Sequence, residues 1–153
     1  MLKIITGAKG SGKSTRLKNY ISKMGKNNFF GFISFCNEER NKYWVKNIET
    51  EETWLLLWES FTPKYSRFDY DEEVFKIVNE KLKIRIEEEM KKSKNRKIGV
   101  LDEVGMIELE SKGFNEGLMA LFDYSKKEEA IIVMRQNFVN EFSFDQSYEL
   151  LFD

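Results

Sequence analysis

Histidine is absent from the 153 residues, and with it the commonest metal ligand and the usual general base near neutral pH. Acid-base chemistry is left to carboxylates, lysines and tyrosines. There is one cysteine, Cys36, so the chain has neither an intrachain disulfide nor a thiolate metal cluster. A reducing compartment fits that usage, and Cys36 reads as a small apolar filler near a strand end. Proline occurs once, at Pro63, and no repeat or low-complexity linker interrupts the chain. No apolar run approaches the roughly 18 residues needed to span a bilayer, and no long apolar segment with a cleavage site marks a signal peptide. The expected location is the cytoplasm. Net charge is nearly missing too. With 25 basic against 26 acidic residues, nothing draws the whole chain to nucleic acid or to an anionic membrane. Any phosphate binding has to be local.

What is present is a globular mixture, 41% hydrophobic and 33% charged, at a length typical of one domain. Residues 1–153 are therefore expected to form a single unit. Leu2 to Thr6 reads as a short apolar strand, and from Lys13 the apolar residues Leu17, Tyr20, Ile21 and Met24 mark one face of a helix that Gly25 stops. "FFGFISF", from Phe29 to Phe35, predicts a second strand. Tyr43 to Ile48 and Thr53 to Trp58 predict an antiparallel hairpin carrying Trp44, Trp54 and Trp58. Ser60 to Asp71 reads as a loop. Acidic residues from Asp71 to Glu73 then open the longest helix, with Val74, Val78, Leu82, Ile86 and Met90 along its buried face. The basic run from Lys91 to Lys97 suits that helix's C-terminus, and it lacks the interleaved aromatics of a nucleic-acid site. Ile98 to Leu101 predicts a strand, Ser111 opens a helix with Phe114, Leu118, Leu121 and Phe122 on one face, and Ala130 to Met134 and Tyr148 to Phe152 predict two further strands. The order is that of an α/β protein.

Two motifs carry chemistry. "GAKGSGKST", comprising Gly7, Ala8, Lys9, Gly10, Ser11, Gly12, Lys13, Ser14 and Thr15, fits G-x-x-x-x-G-K-[ST]. At ordinary residue usage that pattern arises by chance in roughly one chain in two hundred of this length. Its context, after a strand and opening a helix, is what a phosphate cradle requires. Glycines let backbone N–H groups close around an anion, and the helix adds its positive end. Lys13 supplies a point charge to the β- and γ-phosphates, Ser14 a hydroxyl ligand to Mg²⁺, and Thr15 a contact to the α-phosphate. The side chain of Lys9 is expected to face solvent. The second motif, "IGVLDEVGMIEL", ends an apolar strand in two carboxylates. Asp102 is placed to hold the Mg²⁺ shell, and Glu103 to orient or deprotonate an attacking water. Arg135, after the strand "AIIVM", could sense the γ-phosphate, although an ordinary exposed arginine explains it as well.

"TGAKGSGKST", the "GF" of Gly31 and Phe32, "EER" at Glu38 to Arg40, and above all "LDEVGMIEL" with "SKGF" at Ser111 to Phe114, resemble the thermophilic-type, or cancer-related, nucleoside-triphosphatase family. The resemblance covers most of residues 1–135. It implies a three-layer P-loop NTPase fold of the RecA-like branch, with a mostly parallel central sheet extended by an antiparallel β-hairpin. It also implies slow, Mg²⁺-dependent hydrolysis of ATP, GTP and other nucleoside triphosphates, with Lys13, Ser14, Asp102 and Glu103 in the roles already given. Glu108 matches an acidic residue of the family, and packing or bracing of the loop is its expected role. Met106 departs from the family, which usually has lysine or proline there. Two other functions stay open at this point. One is a kinase that delivers the γ-phosphoryl group to a bound hydroxyl. The other is a nucleotide-dependent binding module whose hairpin tryptophans dock a protein partner.

Overall fold

Alternating burial along short β-branched runs, and apolar spacing of three to four residues along longer ones, divide the chain into strands and helices. The computed structural model describes residues 1–151 apart from Lys9, Tyr65 and Ser66, and it leaves out the side chains of Glu103, Met106 and Leu109. In chain order the elements are β1 (Leu2–Gly7), α1 (Lys13–Met24), β2 (Phe29–Cys36), β3 (Lys42–Asn47), β4 (Thr53–Glu59), β5 (Phe68–Tyr70), α2 (Glu72–Met90), β6 (Ile98–Val104), α3 (Met106–Leu109), α4 (Asn115–Ser125), β7 (Ala130–Arg135), α5 (Gln136–Val139) and β8 (Tyr148–Leu151). The strands form one eight-stranded sheet in the order β5-β4-β3-β2-β6-β7-β1-β8. From β2 to β8 all neighbours are parallel, whereas β2 to β5 form an antiparallel extension.

The parallel strands are apolar on both sides because helices cover both sides. Ile5, Val100, Ile131 and Val133 face one layer, where Leu17 and Ile21 of α1 pack on them. Leu2, Ile4, Leu101 and Ile132 face the other, against Val78 and Leu82 of α2 and Leu118 and Leu121 of α4. This is a three-layer α/β architecture. Where β2 runs beside β6, Gly31 has φ +116°, and a Cβ there would collide with the Val100 carbonyl oxygen. Only glycine lets the two strands approach at that point.

Asp71 caps α2, its side chain accepting the Glu73 N–H at 3.0 Å. Val74, Val78, Leu82 and Ile86 are buried as their spacing predicts. Asn79 joins α2 to the start of α4: its amide donates to the Gly113 carbonyl, and its oxygen accepts the Gly117 N–H, both at 2.9 Å. At the far end of α2 the buried Glu89 pairs with Arg85 at 3.0 Å and Lys92 at 2.6 Å, and accepts the Lys97 N–H at 2.7 Å. Arg85 and Lys97 also hold Glu49, in the turn between β3 and β4. The basic run after α2 is engaged in the same way, with Arg96 donating to the Met90 and Lys92 carbonyls and pairing with Glu128.

Four expectations need correction. The loop from Ser60 to Asp71 contains β5, which pairs with the outer strand β4 of the hairpin. The strand expected over Ile98 to Leu101 runs on to Val104, so Asp102 and Glu103 belong to its last residues. The helix expected from Ser111 begins at Asn115, because Ser111 and Gly113 have φ near +60° and interrupt helical geometry. Cys36 is exposed and so fills no core. The hairpin tryptophans do pack on the sheet: each is half-buried, Trp54 against Phe32 and Trp44 stacked on Phe35. Among the described residues no helix is long and apolar enough to cross a membrane.

Candidate active site

The loop from Gly7 to Thr15 leaves β1 at the edge of the sheet where the parallel strands end, and it turns straight into α1. Its turn is closed by the Ser11 N–H donating to the Ala8 carbonyl at 3.1 Å, and the first helical bond runs from the Arg16 N–H to the Gly12 carbonyl at 2.9 Å. Gly10 and Gly12 hold φ +74° and +85°, the left-handed region that this tight path requires. Among the described residues no side chain caps the first turn of α1, so its N–H groups open onto the cleft with the positive end of the helix behind them. Lys13 folds back over the loop, donating to the Ala8 carbonyl at 2.9 Å. Arg16 braces the loop from below through the Thr6 carbonyl at 3.1 Å. Lys9 lies outside the described residues.

Asp102 approaches from β6. Its carboxylate is almost wholly buried, at 3% exposure, and one oxygen, Oδ2, accepts the Ser14 hydroxyl at 2.9 Å, the Ser34 hydroxyl at 3.0 Å and the Ser34 N–H at 3.1 Å. A carboxylate taken out of water needs such donors. The Ser14–Asp102 contact joins the start of α1 to the end of β6, bringing a hydroxyl and a carboxylate oxygen together at the mouth of the loop. Two hard oxygen donors fit Mg²⁺, which keeps most of its shell for water and phosphate oxygens. Among the described residues no group of three or more Asp, Glu or Cys side chains could hold a metal.

Glu103 lies in β6 next to Asp102, and its side chain is outside the description. Glu108, 4% exposed, is a brace: one oxygen accepts the Gly105 N–H at 2.7 Å and the other the Phe114 N–H at 3.2 Å. It thereby pins both ends of the segment between β6 and α4. Arg135, the last residue of β7, is exposed and lies over the Phe138 ring. Gly10, Gly12, Lys13, Ser14, Asp102 and Arg135 line one cleft of about 290 Å³. Beyond Asp102 the cleft continues along an apolar wall that includes Tyr43, Leu57, Phe68, Phe75 and Phe114. A more open hollow of about 360 Å³ lies on the hairpin, between Asn41, Lys42, Leu55, Trp58 and Glu59, away from the loop.

The profile of a family described as NTPase matches residues 3–151. The chain belongs to the NTPase family. Two solved structures share the fold. THEP1 from the hyperthermophile Aquifex aeolicus superposes with a TM-score of 0.74 at 21% identity, over 99% of this chain and 88% of that one. The human cancer-related nucleoside triphosphatase, solved in solution, gives 0.65 at 16% identity, over 97% of this chain and 86% of that one. No curated protein matches the chain significantly. The three-layer sheet and helices described above are thus the P-loop NTPase fold, with the antiparallel hairpin as its extension, and the resemblance carried by "LDEVGMIEL" points to the family that is found. Family membership supports the binding and hydrolysis of nucleoside triphosphates in general.

Of the residues singled out in the sequence, this NTPase brings Gly7 to Thr15, Asp102 and Arg135 to one edge of the sheet, with Lys9 and the Glu103 side chain not described. Two residues of the site escape the sequence reading. Ser34 holds Asp102, and its trace is a single polar residue inside the apolar strand "FFGFISF". Arg40 also lines the cleft; it ends the "EER" that carries part of the family resemblance, but no role attached to it there.

Proposed function

We propose that the chain is a Mg²⁺-dependent nucleoside-triphosphate phosphohydrolase, one domain over residues 1–153, acting slowly on ATP, GTP and other nucleoside triphosphates. The observation that carries this reading is the 2.9 Å contact between Ser14 and Asp102 at the mouth of the glycine loop. These two side chains would hold Mg²⁺, whose contribution when bound is to neutralise charge on the β- and γ-phosphates. The N–H groups opening α1, with the Lys13 ammonium, bind and orient the triphosphate, and Thr15 meets the α-phosphate. Glu103 takes a proton from the attacking water. The water oxygen bonds to the γ-phosphorus, the bond from that phosphorus to the bridging oxygen breaks, and nucleoside diphosphate and phosphate leave. Lys13 and Arg135 stabilise the charge that builds on the phosphate oxygens. A cytoplasmic setting is supported by the single, exposed thiol of Cys36.

The test is phosphate release from ATP, GTP, CTP and UTP with Mg²⁺, wild type beside Glu103→Gln. Release that falls roughly 100-fold in Glu103→Gln, with nucleotide binding kept, is expected for loss of a general base. Equal rates in both proteins would remove Glu103 from the mechanism. A second reading, phosphoryl transfer to a bound hydroxyl, is favoured by the apolar wall of the same cleft, which would suit the body of an acceptor beside the triphosphate. Nucleotide bound tightly but never released as diphosphate and phosphate would turn the assignment toward that reading.

A further inference from the structure

The turn from β2 to β3 reaches across to the glycine loop. Asn37 closes this turn: its N–H donates to the Lys42 carbonyl at 3.2 Å, and its side-chain oxygen accepts the N–H groups of Asn41 and Lys42, each at 3.1 Å. Inside it Arg40 holds φ +55°, a left-handed conformation that side chains rarely adopt. The Arg40 N–H donates to the Asn37 carbonyl at 3.1 Å, which fixes the strained residue in place. From there the guanidinium lies against the middle of the loop, with Nη1 3.1 Å from the point a Cβ would occupy on Gly10. Any side chain at Gly10 would press on it. Among the described residues no hydrogen bond or ion pair engages the Arg40 side chain, although it lines the same cleft as Lys13, Asp102 and Arg135.

A strained backbone that delivers an arginine to a loop built for anions, with no carboxylate paired to it among the described residues, leaves the charge for a ligand. We propose that Arg40 contacts the terminal phosphate of a bound nucleoside triphosphate, as an arginine supplied in cis by the β2–β3 turn. The assignment rests on the hydrolase reading above and adds a residue to it. Lys13, Arg40 and Arg135 reach the one cleft from three separate elements, α1, the β2–β3 turn and the end of β7. As the water oxygen bonds to the γ-phosphorus and the bond to the bridging oxygen breaks, negative charge grows on the bridging and equatorial oxygens, while the water proton goes to the carboxylate base. The Arg40 N–H groups donate to those oxygens, in the ground state weakly and in the transition state strongly. A nucleoside diphosphate presents no such group, so Arg40 also separates triphosphate from diphosphate.

The experiment uses the full chain, with Arg40→Gly and Arg40→Lys beside wild type and Lys13→Ala. Glycine suits the left-handed turn, so Arg40→Gly removes the guanidinium while retaining the melting temperature. Affinities for Mg²⁺-bound ADP and for a non-hydrolysable ATP analogue are measured by calorimetry, and phosphate release from ATP by a coupled assay. Arg40→Gly is expected to keep ADP affinity within about twofold, to weaken the triphosphate analogue about tenfold, and to lower kcat by roughly 10³-fold, the lower end for an arginine finger. Arg40→Lys recovers part of the affinity difference. An unchanged ratio of the two affinities in Arg40→Gly would overturn the assignment, whatever the turnover. Wild type that binds the analogue but releases no phosphate would sink the hydrolase reading alone, and the affinity ratio would still decide on Arg40. If Lys13→Ala binds like wild type, the nucleotide lies elsewhere and both proposals fall.

Discussion

Replacing Glu108 by glutamine changes one atom and leaves the volume untouched, yet it turns one acceptor into a donor at a buried site. Its two carboxylate oxygens accept the Gly105 N–H at 2.7 Å and the Phe114 N–H at 3.2 Å. Whichever way the amide of a glutamine turns, one of those contacts becomes N–H against N–H. A hydrogen bond to a charged group contributes about 1.5–3 kcal/mol. For 153 residues the entropy of unfolding at the midpoint is about 0.3 kcal/mol per kelvin, so Tm should fall by about 5–10 °C. Glu110→Gln, two residues away and exposed, serves as control and should stay within about 1 °C, as surface changes usually do. Turnover is read at 25 °C, well below either midpoint. Because Gly105 follows Glu103 by two residues, a loosened brace should disturb the strand end that carries the proposed base, and kcat should drop roughly tenfold, short of the 10²-fold that a 1 Å misplacement can cost. Nucleotide affinity, which the proposed function assigns to the Gly7–Thr15 loop, should not change. A Glu108→Gln protein that melts with wild type would show that the carboxylate does not carry these two amides, and the bracing role would be wrong.

Two further perturbations follow from contacts already described. Ser34→Ala removes one hydroxyl donor from Asp102 but leaves the Ser34 N–H and the Ser14 hydroxyl. The Mg²⁺ concentration for half-maximal phosphate release should therefore rise severalfold with little change at saturating metal, and an unchanged titration curve would refute a positioning role for Ser34. The second concerns acid. Burial alone would raise the carboxyls of Glu89 and Glu49, but the hydrogen bonds that Glu89 receives from Lys92, Lys97 and Arg85, and Glu49 from Arg85 and Lys97, hold both below the ordinary 4.5. A carboxyl depressed on folding adds stability above its unfolded pKa, and that stability is lost as pH falls through the folded value. Tm should hold from pH 7 to about 5 and then decline, and Glu89→Gln should flatten that decline. Parallel acid profiles in the two proteins would refute it.

Elements whose burial pattern is local were readable from the sequence. The short apolar run behind the glycine loop is β1, and the acidic start at Asp71 with the four-residue spacing after it is α2. Elements set by partners were not. Phe68–Tyr70 is a strand because β4 offers it hydrogen bonds, and three residues carry no period of their own. Ser111 looked like a helix start because serine caps helices, but the Glu108 carboxylate takes the Phe114 N–H and the helix begins only after it. At the site, motif spacing singled out Ser14 and Asp102, and the topology that carries the loop and β6 sets their side chains 2.9 Å apart. Ser34 depends instead on the register of β2 along β6, with Phe32 opposite Leu101, which no local pattern encodes. Arg40 depends on the conformation of a turn for which the sequence offers no glycine.

The position of β1 in the sheet governs when the site can come into being. Among the described residues its strand partners are β7 and β8, which begin more than 120 residues after it. β1 is thus synthesised well before the strands it pairs with, and pairing over such a sequence separation is slow because a long loop must close first. A nascent chain ending before Ala130 can assemble β2 to β6 and pack α2 on them, but its glycine loop hangs from an unpaired strand. Nucleotide binding should therefore appear in one late step of synthesis, when β7 slots between β6 and β1 and joins Asp102 to Ser14.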